Sequence, residues 1–203
     1  MIDEAFKFIA THVDAYLKGQ ADSDGQADDT TSKNVATFNV ARLGDPKDDL
    51  SGKPLVALTL VNIEEERAAR EPQGFRRGDS NQIIYQNPPV PLNLYGLFTA
   101  TIDYNKDKGP LRLIAQVIQC FQAERLFTPQ THPALDPSIE RLSAELVTLN
   151  FEQINHLWST LGGKYLPSVL YKFRLVRIAD PIPRAVGDTV LDIEVRDRSH
   201  IVT

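Results

Sequence analysis

The chain has 203 residues, of which 42% are hydrophobic and 24% are charged, and its formal net charge at pH 7 is -5. This length is enough for one domain with a sizeable core, and the composition is that of an ordinary globular protein. The acidic balance disfavours a nucleic-acid partner, and no apolar run approaches the roughly 20 residues that a membrane-spanning helix requires.

The first third of the chain begins with an amphipathic pattern. Apolar residues at helical spacing predict a helix over Ile2–Leu17, which Gly19 can end. The same stretch has no basic and apolar leader, so we expect no secretory signal. The polar stretch Gln20–Ser32 predicts a loop, and its acidic residues do not have the spacing of a calcium-binding loop.

Strand patterns follow this loop. Val35–Leu43 alternates and predicts a strand, and the almost continuously apolar run Leu55–Ile63 predicts a strand buried on both faces. Pro91–Ile102 predicts a third strand. The Arg-containing segment Arg67–Asn81 between them is interpreted as a surface loop or a long hairpin extension.

The second half of the chain carries clear start and stop signals. A Pro-rich connection is expected over Phe127–Pro137. The predicted elements are a helix from Gly109-Pro110 to Gln122, a strand over Glu140–Val147, a helix over Phe151–Leu161 with Asn150 as N-cap and Gly162-Gly163 as its end, and a strand over Pro167–Ile178.

Two residues are assigned to the core of the predicted domain. The only tryptophan, Trp158, is expected to lie largely buried against the strand Pro167–Ile178. The only cysteine, Cys120, excludes an internal disulfide and lies beside Phe121 in a predicted helix. We therefore interpret Cys120 as a small core residue and not as a nucleophile.

The last part of the chain is separated from the rest by the sequence Asp180-Pro181-Ile182-Pro183. Beyond it, Thr189–Val195 is β-prone. This segment is either an arm that pairs with the sheet edge of another chain or an ordinary last strand of the home sheet. We divide the chain into a domain over 1–180 and a Pro-hinged arm over 181–203. The partner-binding residues of such an arm would be Val190, Leu191, Ile193 and Val195.

No catalytic or cofactor motif is found. The sequence has no Gly-x-Ser-x-Gly, no phosphate-binding loop and no Cys-x-x-Cys. The run Glu64-Glu65-Glu66-Arg67 is either a set of paired carboxylates or, as we favour, a strand end that faces solvent or a neighbouring subunit. The histidines show no helical pair, so no metal site is predicted. They are His12, His132, His156 and His200.

The chain resembles one known family in four stretches over about residues 1–180. These are Met1-Ile-Asp-Glu-Ala-Phe-Lys-Phe, Leu58-Thr-Leu-Val-Asn-Ile-Glu-Glu-Glu-Arg67, Pro91-Leu-Asn-Leu-Tyr95, and Asn155-His-Leu-Trp-Ser159 with Lys164-Tyr-Leu-Pro-Ser-Val-Leu-Tyr171. Together they resemble the N-terminal domain of the cap, or tail-terminator, proteins of phage-tail-like contractile injection systems. The antifeeding prophage and the Photorhabdus virulence cassettes are examples of such systems.

This resemblance implies a structural protein without cofactor or turnover. Such proteins form a homo-hexameric ring that ends inner-tube and sheath polymerisation and holds the last sheath ring. The particle would be assembled in the cytoplasm, without insertion of this chain into a membrane. The fold expected is one α/β (α+β) domain, with a mixed, mostly antiparallel sheet and about three helices. For such a ring, we choose the candidate subunit interface from opposite charge: the acidic residues Glu64, Glu65 and Glu66 against the basic residues Arg67, Arg76 and Arg77.

Two other classes of function stay open from the residues alone. One is an enzyme with an unrecognised site, centred on Glu64 to Arg67 and on His156. The other is an adaptor that binds a peptide along a free sheet edge.

Overall fold

The computed structural model describes residues 2–23, 34–43, 54–66, 75–77, 83–85, 91–101, 109–162, 164–176 and 185–187. The chain divides into two compact units. The first unit comprises Met1–Ala69 and Val90–Ile178, and the second comprises Arg70–Pro89 and Ala179–Thr203.

The first unit is an α+β structure built around one mixed sheet. In the part of the chain that the structure describes, the α-helices are α1 (Ile2–Ser23), α2 (Pro110–Ala123) and α3 (Phe151–Leu161), and the strands are β1 (Val35–Thr37), β2 (Val56–Glu65), β3 (Phe75–Arg77), β4 (Ile83–Tyr85), β5 (Leu92–Ala100), β6 (Leu126–Phe127), β7 (Arg141–Val147), β8 (Ser168–Val176) and β9 (Ala185–Gly187). The strand order in the sheet of the first unit is β1-β2-β5-β8-β7-β6; the β1–β2 pair is parallel, and the other pairs are antiparallel. The predicted α+β class, with about three helices and a mostly antiparallel sheet, is confirmed.

One face of this sheet is covered by α1 and α2. Their apolar stripes pack on alternate residues of the central strands, such as Phe98 of β5 and Phe173 of β8, which are both fully buried. Gly96 lies between them in β5. A Cβ atom at Gly96 would lie 3.0 Å from both the Leu58 and the Phe173 side chains and 3.4 Å from Phe6. The glycine therefore leaves room for the side chains of the two neighbouring strands and for Phe6 of α1.

The other face of the sheet is covered in part by α3, whose ends are well defined by sequence. The Asn150 side chain accepts from the Gln153 backbone N–H at 2.8 Å, and the Gln153 side chain accepts from the Asn150 N–H at 3.0 Å. This reciprocal capping fixes the start of the helix. Gly162 ends it in the left-handed region, at φ 67°, where a residue without Cβ is favoured.

Trp158 anchors α3 to the sheet. Its side chain is 5% exposed and belongs to a cluster with Val40, Leu97 of β5 and Leu170 of β8. The Tyr165 ring lies edge-on to it, at 5.7 Å between centroids. The predicted burial of Trp158 against the strand over 167–178 is therefore confirmed. Cys120 is also buried, as expected.

Helix α1 is longer than predicted. It runs through Gly19 to Ser23, so the expected end at Gly19 is wrong, and the expected loop from Gln20 begins too early. A helical glycine costs only about 1 kcal/mol relative to alanine, which neighbouring residues can offset. The Asp14–Lys18 ion pair, at 3.0 Å, is one such contribution from the preceding turn.

The predicted strand Val35–Leu43 is wrong beyond Thr37. A 3-10 helix replaces it over Val40–Arg42. The Asn39 side chain accepts from the Ala41 N–H at 3.1 Å, and the Thr59 hydroxyl accepts from the Val40 N–H at 3.1 Å. These local side-chain acceptors compete with the sheet ladder and turn the backbone away from it.

The expectation that Leu55–Ile63 is buried on both faces is wrong for its second half. Residues Val56–Thr59 are buried, whereas Leu60 and Ile63 are 39% and 45% exposed. Strand β1 pairs only with Val56–Leu58. A bulge between Leu60 and Asn62 then shifts the register against β5, and such bulges are common near sheet edges.

The second unit contains a three-stranded antiparallel sheet in the order β3-β4-β9. The pairing of β3 with β4 agrees with the hairpin interpretation of the Arg-containing segment. The proposed arm strand Thr189–Val195 lies outside the described residues. The boundary at residue 180 and the arm itself therefore stay predictions.

Truncation of Trp158 tests this account of the core. Trp158→Ala should lower the free energy of unfolding by about 3–5 kcal/mol, because it leaves a cavity under α3. Chemical denaturation followed by circular dichroism measures this change. Phe151→Ala is the matched control on the same helix, since Phe151 is 93% exposed, and it should change stability by less than about 0.5 kcal/mol. Equal effects of the two substitutions would contradict the assignment.

Candidate functional site

A polar surface lies beside α3 on the same face of the sheet. The row of the sheet nearest to α3 is apolar and consists of Leu97 of β5, Leu170 of β8 and Val147 of β7, which lie side by side. The next two rows across the strands are polar. We define the polar face as Asn62, Glu64 and Glu66 at the end of β2, Asn93 and Tyr95 of β5, Lys172 and Arg174 of β8, and Glu145 of β7.

Hydrogen bonds and ion pairs connect these side chains across the strands. The Tyr95 hydroxyl donates to Glu64 Oε2 at 2.8 Å, and Lys172 Nζ lies 2.8 Å from Glu145 Oε2. Glu66 Oε2 accepts from Asn93 Nδ2 at 3.1 Å and lies 3.3 Å from Arg174 Nη2. The charges are therefore held in place before any partner binds.

The electrostatics of this face favour the charged and hydrogen-bonded state at neutral pH. The hydrogen bond from Lys172 lowers the pKa of the Glu145 carboxyl. Burial, and then the bond to Glu64, raise the pKa of the Tyr95 hydroxyl. Tyr95 thus remains a neutral donor near pH 7, and Glu145 remains a charged acceptor.

One acceptor on this face is left without a partner among the described residues. Asn93 is 6% exposed, and its Oδ1 accepts no hydrogen bond there. Buried polar atoms in folded proteins are almost always hydrogen-bonded. A water molecule bound at this amide oxygen would therefore be stabilising.

The structure separates the residues of the acidic run. Glu64 and Glu66 belong to the polar face, and Glu65 is exposed on the opposite face of β2. Glu64 bonds to Asn62 and Tyr95, whereas Glu66 bonds to side chains of β5 and β8. An enzyme centred on this run would need two carboxylates that act together as an acid–base pair. These contacts instead connect Glu64 and Glu66 to different side chains.

The remaining predicted site residues lie elsewhere. Arg76 and Arg77 belong to β3 of the second unit. His156 is exposed on α3. Arg67 and the four arm residues fall outside the described residues, namely Val190, Leu191, Ile193 and Val195.

A second cluster was missed by sequence reasoning. His12 of α1, Glu124 at the C-cap of α2 and His132 after β6 bring donor atoms within 4.8 Å of one another. His132 Nε2 lies 3.2 Å from Glu124 Oε2. The spacing of these residues in the sequence does not predict the cluster, because the cluster forms only when α1 packs beside the end of α2.

The chemical state of the cluster is set by burial. Desolvation lowers the pKa of the His12 imidazole, against an opposing effect of Glu124, so His12 is neutral near pH 7. Burial also raises the pKa of the nearby Cys120 thiol to about 12. That thiol therefore stays protonated and behaves as a core residue, not as a nucleophile.

Within the part of the chain that the structure describes, no helix combines the length and the hydropathy required to cross a bilayer.

Comparison with known proteins finds one matching family and two similar solved structures. The model of the Pvc16 N-terminal domain family matches residues 7–192. No protein of curated function matches the chain. Among solved structures, the chain is similar to the PVC sheath/tube terminator of an extracellular contractile injection system in the extended state, with a TM-score of 0.56 and 10% identity. It is also similar to the tube-terminating cap of the anti-feeding prophage, with a TM-score of 0.53 and 14% identity.

These two likenesses establish a shared fold over most of this chain. They cover 95% and 74% of the chain. The chain in turn spans 64% of the PVC terminator and 51% of the prophage cap.

Proposed function

The chain belongs to the Pvc16 N-terminal domain family, and on that premise we propose that it is a structural cap, or tail terminator, of a contractile injection system. The observation that carries this proposal is the family match over residues 7–192, together with two similar structures that are both terminators of such systems. The cap is assembled in the cytoplasm and becomes part of a phage-tail-like particle. It works by binding, without turnover.

The proposed cap is a homo-hexameric ring on the end of the inner tube. A closed ring requires two different, complementary patches on each subunit. One patch is the acidic end of β2, where Glu65 lies exposed on one face and Glu64 and Glu66 lie on the polar face, and the other is the basic segment that carries Arg67, Arg76 and Arg77. We expect Glu65 to meet the basic segment first, because Glu64 and Glu66 already bond to side chains of the polar face.

The proposed sheath contact is the C-terminal arm. In Thr189–Val195, the residues Val190, Ile193 and Val195 are β-branched, and Leu191 is apolar. Main-chain hydrogen bonds to an open sheath edge would supply affinity, and the alternating side chains would set the register. Strand β9 lies within the predicted arm over 181–203 and pairs with β4 of the same chain, so we propose that only residues 189–203 reach the sheath.

Charge reversal tests the ring. The double substitution Arg76→Glu and Arg77→Glu should abolish six-fold rings on tube ends, because it places like charges across the subunit interface. Electron microscopy of tubes mixed with the variant measures the loss. Reversal of exposed Arg112 and Lys164 in the first unit makes the same change in net charge and should leave the rings intact.

A compensating change sharpens this test. Glu65→Arg, added to the double variant, should restore ring formation if the acidic and basic patches meet between subunits. Rings that survive the Arg76 and Arg77 reversal, or chains that stay monomeric on tube ends before any substitution, would contradict the proposed ring.

Removal of the arm tests the sheath contact separately. Deletion of residues 189–203, which keeps β9, should leave a folded cap that still binds the tube but releases the last sheath ring. Ile193→Asp with Val195→Asp should have the same effect, whereas Asp192→Ser with Glu194→Ser on the polar side should not. Particle imaging and sheath co-sedimentation report the result. A retained sheath ring after the deletion would rule out the arm.

A further inference from the structure

We propose that His12, Glu124 and His132 form a binding site for one divalent transition-metal ion, of which Zn²⁺ fits best. The three donors come from α1, from the C-cap of α2 and from the segment after β6. The site lies wholly within the first unit. A bound ion would therefore join three separate segments of the helix layer, independently of the cap function.

The distances suit an ion after a small adjustment. All donor atoms lie within 4.8 Å of one another, and His132 Nε2 and Glu124 Oε2 are 3.2 Å apart. Zinc bonds of about 2.0–2.2 Å place neighbouring ligand atoms about 3.3 Å apart in a tetrahedron. The widest pair must therefore close by about 1–1.5 Å. The Glu124 side chain is 41% exposed, which leaves it room to rotate toward the ion.

The Thr131 hydroxyl prepares His132 for this role. It lies 2.9 Å from His132 Nδ1 and can donate to the Thr128 carbonyl at 3.2 Å. When it does so, its lone pair accepts from Nδ1–H, and in the neutral ring the lone pair of Nε2 then points toward the Glu124 carboxylate. A metal ion here would take the place of the proton that otherwise joins the two atoms in the ion pair. Metal-bound histidines commonly use such a partner on the other ring nitrogen.

Aromatic rings surround the donors. Phe127 packs against His12 at 4.8 Å and against His132 at 5.1 Å between ring centroids. Phe8 packs edge-on to Phe127 and lies 5.7 Å from His132 between ring centroids. This apolar surrounding limits solvent access, which strengthens the attraction between a cation and the carboxylate.

The donor set selects the class of ion. Two imidazole nitrogens and one carboxylate suit zinc and other first-row transition metals, whereas calcium and magnesium prefer oxygen ligands. Three protein ligands leave the fourth tetrahedral position to water. The competing account is a metal-free cluster, held by ring packing and by the Glu124–His132 ion pair.

The experiment titrates the tag-free full chain with Zn²⁺ by calorimetry and with Co²⁺ by visible absorption. The wild type should bind one ion per chain, with a tetrahedral cobalt spectrum and a raised Tm. His12→Gln and Glu124→Gln should each weaken binding by at least about tenfold. His156→Gln is the matched control, because His156 is exposed on α3, and it should bind as the wild type does.

A second pair of variants separates metal positioning from folding. Thr131→Val should weaken zinc binding by about 10–100-fold, whereas Thr131→Ser keeps the hydroxyl and should bind normally. If His12→Gln fails to fold, the two Thr131 variants still test whether His132 is positioned for zinc. No uptake of zinc by the wild type at one equivalent, or wild-type affinity for zinc in both His12→Gln and Glu124→Gln, would overturn the site and favour the metal-free cluster. Equal binding by the Val and Ser variants would overturn the role of Thr131.

Discussion

The packing of α1 and α2 against one whole face of the sheet is the interaction on which the other features depend. Gly96 makes room within it, because a Cβ atom there would lie 3.0 Å from the Leu58 and Phe173 side chains of the neighbouring strands and 3.4 Å from Phe6 of α1. Within the described part of the first unit, α3 is the helix that packs on the other face. It has 11 residues and covers one end of that face. The rows of the sheet beside α3 carry polar side chains, and the ordered charges of the polar face lie there.

The same packing explains which features could be predicted from the sequence. Elements with strong local signals were predicted well: the capping box at Asn150, the left-handed Gly162, and the alternation of β8 all act within a few residues. The burial of Trp158 followed from this local pattern. The resemblance motifs also identified the family correctly, since the Pvc16 N-terminal domain model matches residues 7–192.

The failures of prediction occur where distant residues compete with local propensity. The strand predicted through Val40 is turned by the Thr59 hydroxyl, which is 19 residues away. Helix α1 continues through Gly19 because the residues around this glycine offset its small helical cost. The cluster of His12, Glu124 and His132 could not be found by spacing, since three separate elements bring it together. The acidic run was read as one patch, but the pleat of β2 separates Glu65 from Glu64 and Glu66.

The central claim is that this chain ends the growth of a contractile tail. It is tested most directly by measuring tube and sheath lengths in particles produced with and without the chain. Our account predicts a narrow length distribution and a closed distal end when the chain is present. Without it, tubes should be open at that end, with variable length or with lost sheath rings. Particles of unchanged length with closed distal ends, made in the absence of the chain, would contradict the claim.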